Sequence, residues 1–246
     1  MLLTFLFHRV NVGKYSSSPE IIKNLFAHLK KHYKIVTPEN KLNPFRQNIC
    51  LTFDDGYFDF YHHVFPLLKE LNIKAVLSIP VKFILEDTDI DSKIRLNVSY
   101  HEAMKNDTFI KKAPFCTWKE LKEMSDSNLV YIASHSYSHK NMLQNDVDLE
   151  KEIIFSKRIL EEKLKKPIDT FVYPLGKFND SIHKFVKIHY KYVMRIGSAI
   201  NFSWQNMNKI TYRIICDDLK RKNQFLKPYN YISYLWFFFL NTFRKR

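Results

Sequence analysis

The chain is predicted to be an α/β protein of repeated strand–helix units around a parallel sheet, in a single barrel-sized domain. Two observations predict this. Apolar runs alternate with helical patterns along most of the sequence, as expected of strands buried on both faces and joined by amphipathic crossover helices. The 246 residues, 46% hydrophobic and 26% charged, are enough to bury a full core and exclude a disordered tail or a polytopic membrane protein.

Strands are predicted at 2–8, 48–53, 74–79, 130–134, 170–174, 191–196 and 210–216. The first lies in Met1-Leu-Leu-Thr-Phe-Leu-Phe-His8-Arg9, which lacks a basic leading region and a small-residue cleavage site and so suits a strand better than a secretory signal. Helix 19–32 is opened by Ser18 and Pro19, and helix 117–126 by a capping box of Thr117 and Glu120. Helix 146–165 carries Leu149, Ile153, Leu160 and Leu164 on one stripe. Segment 81–115 is polar, irregular and long, which predicts an excursion or lid rather than another strand–helix unit. With no repeat or linker, residues 1–220 are taken as the main domain and 221–246 as an aromatic, basic tail. That tail runs from Tyr231 to Phe243 and ends in Arg244-Lys245-Arg246, and its apolar stretch is too short to span a bilayer. Two readings stay open for it: a helix lying on an anionic membrane surface, or a last helix packed on the core.

Lys and Arg number 39 against 25 acidic residues, a net charge of +14 that favours an anionic partner. The lysines are spread along helices with no recognition motif, so no nucleic-acid partner is expected. Cys50, Cys116 and Cys216 are too scattered for a disulfide scaffold or a paired-cysteine metal site, and predict reduced, buried thiols in a cytoplasmic protein. Only four glycines occur, where average usage would give about seventeen. Each is expected where the backbone demands it.

Two of those glycines fall in motifs that carry chemistry. Leu51-Thr52-Phe53-Asp54-Asp55-Gly56 ends a strand with adjacent carboxylates, one able to bind a metal while the other takes a proton from water. Alone, the motif equally suits an Asx turn capping a helix. Ser134-His135-Ser136-Tyr137-Ser138-His139 follows another strand and sets two histidines four apart, as on one face of a helical turn. Alone, they equally suit a surface pair, but the two motifs together supply a carboxylate and two imidazoles with room for water. Phe171-Val172-Tyr173-Pro174-Leu175-Gly176 runs from a third strand into a turn able to aim a backbone N–H into a cleft. Tyr57, Tyr137, Tyr173 and Trp204 are candidates to line a ligand cleft, whereas His62, His63, His101, His183 and His189 follow no ligand spacing.

The order Thr-Phe-Asp-Asp-Gly, Ser-His-x-x-x-His, Tyr-Pro-x-Gly resembles the polysaccharide deacetylases, the NodB-homology or carbohydrate esterase family 4 group. The similarity extends over residues 1–216 and includes Phe65-Pro66-Leu67-Leu68 and Thr117-Trp118. It implies a distorted (β/α)7 barrel, similar to a TIM barrel, and metal-dependent removal of an acyl group from an N-acylated sugar. Carried over, Asp55, His135 and His139 would hold a divalent metal, usually Zn2+ with Co2+, Mn2+, Ni2+ or Fe2+ as alternatives. Asp54 would be the general base, and the N–H of Leu175 would stabilise the oxyanion. The family's usual third motif begins with an arginine that orients the base. Val172 stands there, so Arg213 is the substitute. No Leu-x-His occurs near the C-terminus to supply the usual acid. Phe7-His8-Arg9-Val10 resembles the first-strand element of the deacetylases acting on poly-N-acetylglucosamine, which makes His8 the candidate acid.

The expected activity is N-deacetylation of a polysaccharide or lipid-linked saccharide in surface-glycan or lipopolysaccharide assembly, in the cytoplasm or on the inner membrane face. Deformylation of a lipid-linked amino sugar and a catalytically degenerate glycan-binding barrel are the alternatives. A non-haem iron oxygenase would also use two histidines and a carboxylate, but the second carboxylate and the strand–helix pattern disfavour it.

Overall fold

Strands that are apolar on both faces need cover on both sides, and closing the sheet into a barrel provides it. The computed structural model describes residues 1–11 and 13–243. Its strands are β1 (Leu2–Phe7), β2 (Lys34–Ile35), β3 (Asn48–Phe53), β4 (Ala75–Ile79), β5 (Val130–Ser134), β6 (Thr170–Val172), β7 (Tyr192–Ile196) and β8 (Thr211–Ile215). Every pairing between them is parallel. Seven close a ring in the order β1-β8-β7-β6-β5-β4-β3, shut by β1 on β3 from Leu2↔Asn48 to Phe7↔Phe53. The barrel is the distorted (β/α)7 form, and all seven predicted strands are its staves. The two-residue β2, not predicted, pairs with the start of β3. Distortion is greatest between β5 and β6, which share the single pair Ser134↔Phe171.

The outward faces of the strands pack under the helices through Leu3, Phe5, Phe7, Ile49, Leu51, Phe53, Leu77, Ile132 and Phe171. The alternate positions Leu2, Cys50, Val76, Ala133, Val172 and Met194 form a separate buried cluster inside the barrel. Trp204 joins that cluster and donates its indole N–H to Asn40 O (2.9 Å), so it plugs the barrel interior rather than lining a sugar cleft.

Helices α1 (Pro19–His32) and α2 (Phe65–Leu71) follow β1 and β3. Ser18 caps α1, and a π-helical turn over Phe60–Val64 leads into α2. Segment 81–115 holds three short helices, α3 (Ser92–Leu96), α4 (Tyr100–Ala103) and α5 (Thr108–Lys112). It is tied down: buried Arg95 pairs with Glu120 (2.7 Å), and Arg9 bonds Asp59 (2.8 Å) and the Val98 carbonyl (2.5 Å). The predicted capping box of Thr117 and Glu120 opens α6 (Trp118–Asp126). The predicted 146–165 helix begins as a π-helical turn at Glu150–Phe155 and continues as α7 (Ser156–Leu164). Helices α8 (Asp180–His189) and α9 (Pro228–Phe243) complete the chain, the latter packing Tyr234 and Phe238 into the core. Arg244-Lys245-Arg246 lies outside the described residues. All three cysteines are free and buried.

Candidate active site

In a parallel barrel the C-terminal strand ends form one rim, and loops leaving different strands converge there. At the end of β3 the backbone N–H of Asp54 donates to Phe7 O (3.0 Å), extending the ladder to β1. Asp55 (φ 70°) and Gly56 (φ 67°) then turn left-handed in succession. The left-handed φ of Gly56 favours glycine, and a Cβ there would sit 2.8 Å from Ile79 Cδ1, which would have to shift. The turn sends the two carboxylates apart. Asp54 accepts both Nη groups of Arg213 (2.6 and 2.9 Å) and the Ser78 hydroxyl (2.7 Å). Burial would raise its pKa, yet Arg213, with His135 and His8 beyond, holds the carboxyl well below the usual carboxylate range. Arg213, fully buried on β8, is thus the residue that holds the Asp54 carboxylate.

Asp55 is fully buried and neither carboxylate oxygen has a hydrogen-bond partner. Its Oδ1 lies 3.3 Å from His139 Nε2 and 3.6 Å from His135 Nε2. A buried carboxylate left bare beside two imidazole nitrogens is a poor arrangement for a protein alone and a good one for a divalent cation. Among the described residues, Asp55, His135 and His139 form the only such ligand group. His135 donates from Nδ1 to Val172 O (2.8 Å), which fixes the tautomer with Nε2 facing Asp55. The same bond bridges the sparse β5–β6 seam. Burial lowers the His135 pKa to about 4, keeping the ring neutral as a ligand must be.

The two histidines do not share a helical turn. They converge through a loop in which Ser136 (φ 69°) and His139 (φ 58°) are left-handed. Buried Glu152 holds that loop by accepting the N–H groups of Tyr137 (3.0 Å) and Ser138 (2.8 Å) and the Ser138 hydroxyl. Replacing Glu152 with Ala should lower stability by about 3 kcal/mol in a urea titration. In a chelator competition it should weaken metal binding by about 10–100-fold.

His8 sits at the end of β1, and Asp217, just beyond β8, clamps it. The Asp217 carboxylate accepts the His8 backbone N–H (2.9 Å) and the ring Nδ1–H (2.7 Å). Burial disfavours the imidazolium, but the Asp217 bond and charge, with Asp55 and Asp54, outweigh it and raise the pKa from 6.5 to about 9. The raised pKa stabilises the fold fully below about pH 6.5, and this contribution is lost as pH rises through about 9. Tyr100 of α4 meets the His8 ring edge-on at 5.9 Å and Tyr15 at 4.8 Å, so the 81–115 excursion contributes to the wall of the site.

Leu175 is exposed and left-handed (φ 56°) in the turn Pro174–Gly176, three residues beyond the carbonyl that holds His135. The predicted sugar-lining tyrosines divide. Tyr57 and Tyr173 are buried and offer no ring face to a ligand. Tyr57 lies under Arg9 and against Phe115, and Tyr173 stacks on Phe178 (4.4 Å) with its hydroxyl on His183 Nδ1 (3.1 Å). Tyr137 is half-buried, with Phe155 beside it and Lys151 over its ring (4.8 Å).

The family model described as polysaccharide deacetylase matches residues 41–193. The chain belongs to the polysaccharide deacetylase family. The matched stretch holds Asp54, Asp55, His135, His139 and Leu175, whereas His8 and Arg213 come from strands outside it. The poly-beta-1,6-N-acetyl-D-glucosamine N-deacetylase of Escherichia coli K12 is 33% identical over 98 residues, 39% of this chain but only 13% of that protein. Among solved structures, the Streptococcus pyogenes deacetylase PplD in complex with acetate has 20% identity and a TM-score of 0.70, over 92% of this chain and 96% of that one. IcaB from Ammonifex degensii has 18% identity and a TM-score of 0.67, over 87% and 91%. These two likenesses extend the polysaccharide deacetylase fold to most of the chain.

Proposed function

We propose that this chain is a divalent-metal-dependent hydrolase that removes the N-acetyl group from an amino sugar, its metal held by Asp55, His135 and His139. The observation that carries the reading is the bare, buried Asp55 carboxylate facing two imidazole nitrogens beside an arginine-held Asp54. An ion of the zinc type held there would supply a Lewis acid that makes water more acidic and polarises the amide carbonyl. Asp54, ionised and fixed by Arg213, takes the proton of the attacking water. The N–H of Leu175 stabilises the oxyanion that develops on the amide oxygen. His8, held by Asp217, then protonates the departing nitrogen as the C–N bond breaks, leaving a free amino sugar and acetate. Tyr137, two residues beyond His135, is the predicted sugar-lining tyrosine that stays partly exposed.

Because His8 acts in its protonated form, kcat/KM should fall on the alkaline side as His8 loses its proton. A bound cation opposes the contributions of Asp54 and Asp55 but leaves that of Asp217. In Asp217→Asn the alkaline fall should therefore begin at distinctly lower pH, as a pH–rate profile would read directly.

We infer further that the substrate is a saccharide of surface-glycan or lipopolysaccharide assembly, met at the inner face of the cytoplasmic membrane. The matched relative names a β-1,6-linked N-acetylglucosamine polymer, and the apolar, basic C-terminal segment favours a lipid-carried form. The test is acid release from β-1,6-linked N-acetylglucosamine oligomers and from N-formylated amino sugars, free and lipid-linked, with zinc-, cobalt-, manganese-, nickel- or iron-loaded protein. Acetate release supports the reading, and formate alone would make the chain a deformylase. No release from any of them overturns it in favour of a glycan-binding barrel.

A further inference from the structure

Helix α9 has two faces of opposite fate. Its inner face is locked to the barrel: Tyr234 and Phe238 are buried, and the Tyr234 hydroxyl donates to Phe225 O (3.1 Å). Asn241 donates to Gly197 O (2.7 Å) and accepts from Arg195 (2.8 Å). Its outer face carries Tyr229, Ile232, Trp236, Phe239 and Phe243 at steps of three, four, three and four, one stripe along the helix. Exposure is 61% at Tyr229, 75% at Ile232, 62% at Trp236, 46% at Phe239 and 66% at Phe243. The sixteen-residue helix makes this an apolar ridge about 24 Å long, and no helix among the described residues is long and apolar enough to cross a membrane.

Along the chain, the charge flanking the ridge has one sign. Lys220, Arg221, Lys222 and Lys227 precede it and Arg244, Lys245 and Arg246 follow it, with no acidic residue after Asp218. Lys227 lies over the Tyr229 ring (5.7 Å) at the start of the stripe. A second copy docking through this ridge would bring two sets of seven cations together. An anionic surface would neutralise them, and Trp and Tyr on an otherwise aliphatic and phenyl stripe suit the boundary between headgroups and acyl chains.

We propose that α9 is an interfacial helix that docks the barrel on anionic phospholipid, its stripe of Tyr229, Ile232, Trp236, Phe239 and Phe243 entering the headgroup boundary while the flanking cations bind lipid phosphates. The inference deepens the membrane-side reading and rests on it for its setting, but uses no residue of the catalytic machinery. Asn241 fixes the end of α9 to Gly197, just past β7, so the docked ridge ends beside the rim that carries the site.

Trp236 is its own reporter, because Trp118 and Trp204 are both 8% exposed. Full-length protein is mixed with vesicles of phosphatidylglycerol and phosphatidylcholine in equal parts, or of phosphatidylcholine alone. The expected result is a blue-shifted emission and co-sedimentation with the anionic vesicles, about tenfold or more weaker on the neutral ones and weakened by added salt. The double variant Ile232→Ser/Phe239→Ser, which keeps Trp236, should lose vesicle binding and retain acid release from soluble oligosaccharide. Three results would overturn the proposal: no shift on anionic vesicles, equal binding by wild type and variant, or a wild-type dimer that the variant converts to monomer. Vesicle binding without acid release would contradict the hydrolase reading and leave this one standing.

Discussion

Asp54→Asn should lower kcat by about a thousandfold or more while leaving the metal in place. The substitution removes the proton acceptor but none of the atoms on Asp55, His135 or His139 that face the ion. It also leaves Arg213, fully buried, without its counter-charge. Breaking one side of a buried pair typically costs about 3–5 kcal/mol, so the variant should unfold at lower denaturant. Metal content and circular dichroism at the assay temperature separate the two effects. A folded, metal-loaded Asp54→Asn with wild-type turnover would remove Asp54 as the base.

Arg213→Met should be nearly as damaging, by another route. The guanidinium fork meets both oxygens of Asp54, a geometry that methionine cannot supply and that lysine replaces only with a single ammonium. Loss of the fork frees the carboxylate to rotate, and the expected fall in kcat is about a hundredfold. Arg213→Lys should restore stability more than it restores rate, since charge returns without the bidentate hold. Equal recovery of both would mean that Arg213 only neutralises charge. Steady-state kinetics beside urea titrations of the two variants decide this.

Much of this arrangement could be read from the chain because it is local. Strands apolar on both faces announced the parallel sheet, the family resemblance implied its closure into a barrel, and Ser18 and the Thr117–Glu120 box marked helix starts through hydrogen bonds spanning three residues. Asp55 and His135 of the candidate metal site sit just after strands, where a parallel sheet presents its functional rim. Arg213 was found because the place of the usual arginine is held by Val172, leaving an orienting group to be sought on another strand. The residues missed are those whose partners are distant. Asp217 acts on His8 from 209 positions away, and Glu152 stabilises a loop 14 and 15 positions earlier. The signal for Asp217 was its position just past the last strand.

Other expectations failed because spacing does not determine conformation. Histidines four apart suggest a helical turn, yet left-handed Ser136 and His139 bring them together in a loop. Tyr57 and Tyr173 stand beside the motifs in sequence but are drawn into the core by Phe115 and Phe178, which no local pattern announces.

Metal content of the purified chain, beside Asp55→Ala and His135→Ala, is the most direct test of the site on which the hydrolase rests. Elemental analysis after removal of loosely bound ions should find about one divalent ion per wild-type chain and almost none in either folded variant. A wild-type chain that stays empty after exposure to zinc, cobalt, manganese, nickel or iron would contradict the mechanism. So would variants that keep a full complement of metal.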